Sequence, residues 1–442
     1  MKTNRLFILL LICCAHHRAT AQAPSRPNVV LILVDELRWN ALNCMGHTFV
    51  KTPHIDRIAR EGMLMRNAFV TTPLCSPSRA SILTGQYAHT TGIVRNTKYN
   101  ALTHQLITYP RLLQQAGYQT AFIGKWHMGD DSSPRPGFSR WVGSGANKVD
   151  KINPTLNIDG TTVIKQGHIT DILTEEATDF IKQNKDKPFS ICLFHNAVHG
   201  PYKPSDRNKS LFQNQPIERT LSARSPVVNK PALVGKNGQP PEGDEAIRNQ
   251  LRMLVDVDDG VGMIYKTLEE AGILDNTVII FTSDNGYLWG EHGQGQKRLA
   301  YEESIRVPFL VRYPPMIKPG TTCDESVLNI DLAPTMLQLA GLPAHQPMQG
   351  QSLIPVFKGR TLNDRQSMLF EYTIEPTGIP SWKAVRTSEW KFIHYTDLTG
   401  CDELYDLRKD PQEMSNLIGD PQSNTVAKSM ETELTRLMTV FK

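Results

Sequence analysis

The chain has 442 residues, of which 40 % are hydrophobic and 21 % charged, with a formal net charge of +4. That composition excludes a disordered or low-complexity chain and fits an ordinary globular protein. The charge is too small, and the Lys/Arg residues too dispersed, to argue for a nucleic-acid partner, although they leave room for a polyanionic ligand.

The chain opens with the pattern of an export signal: Lys2 and Arg5, an apolar run Leu6–Cys14, and Ala19-Thr20-Ala21 before a cleavage point, giving a leader of residues 1–21. A membrane span needs roughly 20 apolar residues, so this shorter run predicts an exported protein, periplasmic or secreted, without stable membrane insertion. The residues around Cys13 and Cys14 make a poor lipid-attachment site. Residues 22–358 read as one large domain and 359–442 as a smaller one. Past the leader, Cys44, Cys75, Cys192, Cys323 and Cys401 match no zinc spacing and no dense disulfide framework, and whether they pair is open.

Four continuous apolar runs bounded by turn or polar residues read as buried parallel strands: Asn28–Val34, Gln119–Ile123, Phe189–Phe194 and Thr277–Thr282. Segments with helical patterning, such as Arg111–Ala116 and Met253–Ala271, lie between them. The alternation predicts a doubly wound, mostly parallel α/β sheet with helices on both faces. Polar, chemically capable residues follow each run: Asp35-Glu36, Gly124-Lys125-Trp126-His127, His195 with His199, and Ser283-Asp284-Asn285-Gly286. Open parallel sheets bind ligands outside the carboxyl ends of their strands, so these groups should meet on one rim. The polar stretch from Ser205 to about Asp244 reads as a long surface insertion that shapes an entrance. Beyond about Gly359, Met368–Tyr372 and Trp382–Tyr395 read as antiparallel strands and Asn424–Phe441 as an amphipathic helix, together a smaller α+β unit.

The sharpest motif is Cys75-Ser76-Pro77-Ser78-Arg79-Ala80-Ser81-Ile82-Leu83-Thr84-Gly85. Ser76 suits a helix cap, Pro77 the first helical position and Gly85 the exit. Cys75 then sits at a helix N-terminus, which favours an anion, with Arg79 one turn on. This stretch resembles the maturation signature of the type I sulfatases, Cys-x-Pro-Ser-Arg followed by Leu-Thr-Gly, within the alkaline phosphatase-like superfamily. The resemblance runs from Asn28 to Leu417 and includes Gly290-Glu291-His292-Gly293, Tyr301-Glu302-Glu303-Ser304 and Glu403-Leu404-Tyr405-Asp406-Leu407.

The resemblance implies that a maturation enzyme oxidises Cys75 to formylglycine (3-oxoalanine), whose hydrate is the nucleophile. One hydroxyl attacks sulfur and expels an alcohol; the second, once deprotonated, collapses the sulfated adduct to aldehyde and sulfate. A serine would keep a stable sulfate ester. Asp35, Glu36, Asp284 and Asn285 offer hard oxygen ligands suited to Ca²⁺ or Mg²⁺ and not to zinc; the family site is completed by the modified Cys75, with Ca²⁺ as the expected ion. The family usually has two aspartates where this chain has Asp35-Glu36. Arg79, Lys125, His127, His199 and Lys297 match family positions: His127 as base, Lys125 and Lys297 as charge stabilisers on the sulfate and, for Lys297, on the leaving oxygen, and His199 to contact or protonate the leaving group. His195 and His292 are weaker candidates, either to bind substrate, as assigned to His292, or to support the residues that do. The expected substrate is a sulfated carbohydrate, an algal polysaccharide or a glycosaminoglycan. Two readings stand beside it: a phosphate or phosphonate monoester hydrolase of the same superfamily, and an inactive binder of sulfated glycans.

Overall fold

The computed structural model describes residues 26–144, 149–233, 240–362, 365–375 and 378–442; the leader segment lies outside them. Its strands in chain order are β1 Asn28–Val34, β2 Met63–Phe69, β3 Gln119–Lys125, β4 Arg140–Ser144, β5 Thr155–Ile158, β6 Thr161–Ile164, β7 Phe189–Phe194 and β8 Thr277–Ser283. A two-stranded ribbon follows, β9 Leu288–Trp289 with β10 Gly295–Gln296, then β11 Arg306–Arg312 and β12 Thr321–Leu328. Four more strands, β13 Met368–Tyr372, β14 Trp382–Arg386, β15 Trp390–Tyr395 and β16 Glu403–Asp406, make a separate antiparallel sheet.

The large sheet has ten strands in the order β12-β2-β11-β8-β1-β7-β3-β4-β5-β6. The four apolar runs legible in the sequence are its contiguous centre, β8-β1-β7-β3, and all pair in parallel. Leu31 of β1 stands between Cys192 of β7 and Ile280 of β8. Antiparallel pairing enters only towards the edges, around β11 on one side and around β5 on the other.

Alternation along β1 explains why the run is apolar throughout. Val29, Leu31 and Leu33 point into one core, with Ile82 and Leu83 of the helix Cys75–Thr84 and Met336 and Leu337 of the helix Leu332–Leu339. Val30, Ile32 and Val34 point into the opposite core, under the helices Ile169–Asn184 and Asp244–Glu270. A strand covered on both faces has no polar side to show. A third core joins the second sheet to the first: Phe370, Trp382 and Phe392 pack with Phe69, Leu74 and Tyr301, under the helix Asn424–Val440.

The expected insertion of Ser205–Asp244 is largely turns and short helical pieces, with residues 234–239 outside the described set. Its Arg219 pairs with Asp244 at 2.6 Å, and Thr220 Oγ1 donates to Glu291 at 3.0 Å. The five described cysteines are all free. Among the described residues no helix is long and apolar enough to cross a membrane.

Candidate active site

Because β1, β3, β7 and β8 run in parallel, their carboxyl ends deliver their polar successors to one rim. Asp35 and Glu36 leave β1, Lys125 ends β3 with His127 beyond it, the segment His195–His199 leaves β7, and Asp284-Asn285 leave β8. All of these are buried except His199, which is partly exposed. Gly124, just before Lys125, has φ +123°, and a Cβ there would meet Phe194 O at 1.9 Å. Only glycine lets β3 turn so closely against β7 at this point.

Cys75 opens a fully buried ten-residue helix. The sequence reading makes Ser76 the cap and Pro77 the first helical residue; the helix instead starts at Cys75, after Leu74, with no side-chain cap. The capping function comes from elsewhere in the chain. Asn96 Oδ1 accepts from the Ser76 amide at 2.9 Å, and Ser76 Oγ donates to the His127 carbonyl. Gly85 closes the helix in the left-handed conformation, as expected.

Around Cys75 the charged groups interlock. Donor atoms of Asp35, Glu36 and Cys75 all lie within 4.8 Å of one another. Cys75 Sγ is 3.6 Å from Asp35 Oδ1 and 3.1 Å from Lys297 Nζ. Arg79 donates to Asp284 Oδ2 through Nε at 2.9 Å and Nη2 at 2.7 Å, lies 3.5 Å from Asp35, and donates to the Lys125 carbonyl. Lys125 pairs with Asp35, and Lys297 with Glu36. The Glu36 amide donates to Asp284 Oδ1 at 3.0 Å. Glu36, His127, Gln296 and Arg298 all have φ between +62° and +85°. Such conformations cost of order 1 kcal/mol or more each, and gather where surrounding structure fixes a functional geometry.

The electrostatics follow from burial. Burial, then Asp35 and Asp284, push the Cys75 thiol well above its ordinary range, so an unmodified Cys75 is a poor thiolate nucleophile. Burial opposes ionisation of Asp35, but Lys125 and Arg79 outweigh it and hold the group well below the usual carboxylate range. Burial and the Asp35 charge push Asp284 up to about 7. Burial and Lys125 keep His127 neutral, well below its ordinary value, and its buried Nδ1 has no partner among the described residues. Burial and Lys125 also lower His199 to about 4. Its Nδ1 faces the Gly200 carbonyl at 2.6 Å and therefore carries hydrogen, which leaves Nε2, 3.2 Å from Glu36 Oε1, as the atom that takes or gives a proton.

These residues fit a divalent hard cation. Two buried carboxylates raise each other's pKa unless positive charge intervenes, and Asn285 Oδ1 is buried with no partner among the described residues. Oxygen donors from Asp35, Glu36, Asp284 and Asn285 suit calcium or magnesium far better than zinc.

Comparison with known families decides the class. The sequence profile described as Sulfatase matches residues 27–342, and that described as the C-terminal region of N-sulphoglucosamine sulphohydrolase matches 290–440. The chain belongs to the sulfatase family.

This sulfatase is 32 % identical to an N-acetylglucosamine-6-O-sulfatase of Bacteroides thetaiotaomicron, across 95 % of this chain and 88 % of that one. It is also 32 % identical to the human N-acetylglucosamine-6-sulfatase, across 97 % and 86 % of the two chains. A solved structure described as in complex with its substrate D-glucosamine-2-N,6-O-disulfate superposes with a TM-score of 0.88 at 30 % identity, covering 94 % of this chain and 98 % of that one. Known phosphonate monoester hydrolases share the fold at 22 % identity.

The structure of the sulfatase separates one expected residue from the rest. His292 packs at a tilt against Tyr301, with ring centroids 4.0 Å apart, and groups with Glu303 and Glu413, not with Cys75. That cluster lies where the second sheet meets the first, beside Lys391, which pairs with Glu413 at 2.7 Å. His195 donates its amide to the Leu33 carbonyl at 2.8 Å, and its buried Nδ1 has no partner among the described residues. Two contributors escape the sequence reading. Glu375 accepts from the Asn96 amide at 2.6 Å and from Arg298 at 2.9 Å, bracing the residue that caps the Cys75 helix. Lys151 is the other: it donates to the Asn196 carbonyl at 2.9 Å, and nothing in Val149-Asp150-Lys151-Ile152 marks it as inward-facing.

Proposed function

We propose that this sulfatase hydrolyses the sulfate ester of a sulfated carbohydrate, through a formylglycine made from Cys75, and that the ester is the 6-O-sulfate of a glucosamine-type sugar. The observation that carries the first part is Cys75 at the head of a buried helix, between Asp35 at 3.6 Å and Lys297 at 3.1 Å. The sugar rests on the relatives, bacterial and human, that share one substrate name across nearly their full length. Export of the mature chain, residues 22–442, rests on the leader pattern.

Asp35, Glu36, Asp284, Asn285 and the modified Cys75 would hold calcium. When bound, calcium supplies fixed positive charge beside the sulfate and helps to orient it. The residues do the rest. Lys125 and Lys297 face charge that develops on the sulfuryl oxygens, where burial makes each contact stronger than in water. Arg79 holds Asp284 in place. As one hydroxyl of the Cys75 diol attacks sulfur and the bond from sulfur to the sugar oxygen breaks, neutral His199 Nε2 takes the proton that the hydroxyl loses and passes it to the departing sugar oxygen. Neutral His127 then takes the proton of the second hydroxyl, the C–O bond to sulfate breaks, and the aldehyde returns. In this scheme residues 22–358 carry the chemistry, and residues 359–442 brace it.

The test is sulfate release from a panel of N-acetylglucosamine 6-sulfate, other sulfated sugars, and phosphate and phosphonate monoesters. Cys75→Ala should fold and release nothing, and wild-type protein from a host without the maturation enzyme should be nearly inactive. Full turnover by unmodified Cys75 protein would refute the mechanism, and faster turnover of phosphonate would refute the substrate class.

A further inference from the structure

Each cation named so far around Cys75 already has an anionic partner: Lys125 has Asp35, Lys297 has Glu36, and Arg79 has Asp284. Lys151 differs. Its side chain is as deeply buried as theirs, at 3 % exposure, yet among the described residues it meets no carboxylate and makes one hydrogen bond, to the Asn196 carbonyl. That same carbonyl accepts from the His199 amide at 3.1 Å, so the ammonium sits against the loop that carries His199. Asn196 Oδ1 beside it is buried and unpartnered among the described residues. Burial, then Lys125, push Lys151 down to about 7, with Asp35 acting in the opposite sense; burial, then Lys125, likewise lower His199, with Lys151 adding a smaller push the same way. These neighbours place it on the Lys125–His199 side of the site.

A buried ammonium without a counter-ion is expensive, and it is retained where an anion arrives to neutralise it. We propose that Lys151 is a substrate-binding residue that receives an anionic oxygen of the substrate on the His199 side of the pocket. This rests on the sulfate-ester reading above. The shared chemistry is a sulfate or carboxylate oxygen, and it has two sources: the reacting sulfate itself, or a second anionic substituent on the same sugar. A neutral ring hydroxyl would leave the charge uncompensated.

The experiment compares wild type with Lys151→Met, which keeps length and removes charge, and Lys151→Arg, which keeps charge. Three readouts are taken: kcat and KM on a monosulfated amino sugar, the same on its disulfated form, and the dissociation constant of inorganic sulfate by calorimetry. Loss of one charge-assisted hydrogen bond should raise KM about ten-fold or more in the Met variant, with kcat changed less and Arg recovering part of the loss. If Lys151 holds the reacting sulfate, both sugars weaken alike and the sulfate constant rises by a similar factor. If it holds a second substituent, only the disulfated sugar weakens. Unchanged KM on both sugars with unchanged sulfate affinity would overturn the proposal. So would a fall in kcat alone, which would leave Lys151 as support for the Asn196–His199 loop. Sulfate binding by calorimetry needs no turnover. A wild-type protein that binds sulfate through Lys151 yet hydrolyses nothing would therefore sink the functional reading and leave this one standing.

Discussion

Arg79→Lys isolates what the guanidinium does beyond carrying charge. Arg79 is fully buried and puts two donors on Asp284 Oδ2, at 2.9 and 2.7 Å, and a third on the Lys125 carbonyl. A lysine ammonium at the end of a thinner stem can keep one of these contacts. The loss is then two charge-assisted hydrogen bonds, about 1.5–3 kcal/mol each, which agrees with about 3–5 kcal/mol for breaking a buried pair. At about 2 °C per kcal/mol for a large chain, unfolding should fall by roughly 5–10 °C. Asp284 would also lose its alignment with the Glu36 amide, so sulfate release should drop well beyond ten-fold. Scanning calorimetry with excess calcium gives the first quantity, and initial rates on a sulfated amino sugar give the second. Arg79→Met is the companion, since it removes the charge as well. A Lys variant that melts within about 1 °C of wild type and keeps half its rate would refute the reasoning, because charge alone would then suffice.

Thorough chelation should abolish sulfate release and lower the unfolding temperature, with calcium restoring both better than zinc; a tightly held zinc pair in metal analysis would contradict the oxygen-donor assignment. Glu36→Gln should weaken calcium binding and slow turnover, whereas Glu36→Asp should be milder; equal, near-normal calcium titrations of the two variants would place the Glu36 carboxylate off the metal. Away from the site, burial pushes Asp258 up to about 7, although it accepts from the Ile55 and His54 amides at 2.7 and 3.0 Å. A folded pKa raised above the unfolded value gives stability that is complete below about pH 4 and lost as pH rises through 7. Asp258→Asn keeps both bonds on one oxygen, so it should be the more stable protein at pH 8, by up to about 4 kcal/mol, and converge with wild type near pH 4. Parallel urea-unfolding profiles across that range would count against it.

The rim was legible because its strands are covered on both faces. Asn28–Val34 and Phe189–Phe194 match their strands end to end, since burial on two sides leaves only apolar residues between polar ends. The flanks were not legible for the opposite reason. β2, Met-Leu-Met-Arg-Asn-Ala-Phe, mixes buried and exposed positions, β11 carries Pro308, and edge strand β12 is mostly polar. Ser76 looked like a cap because local spacing cannot reveal that Asn96, twenty residues away, supplies one. Lys151 and Glu375 reach the site through tertiary folding alone, and His292 shares a strong motif with site residues but turns to the second sheet. Motifs identify the chemistry well; they do not say which way a side chain faces.

The last turn of the chain has a practical side. Phe441 packs on Tyr87 with ring centroids 4.9 Å apart, and its carbonyl accepts from His89 and from Gln349 at 3.1 Å. Tyr87 and His89 follow directly on the helix that Cys75 opens. An affinity tag or surface tether joined after Lys442 would therefore pull, through one residue, on the segment at the far end of the helix that begins with the nucleophile. A handle for purification or immobilisation is better grafted into the exposed hairpin of β5 and β6, whose outer strand stands three places from β3 at the far edge of the sheet.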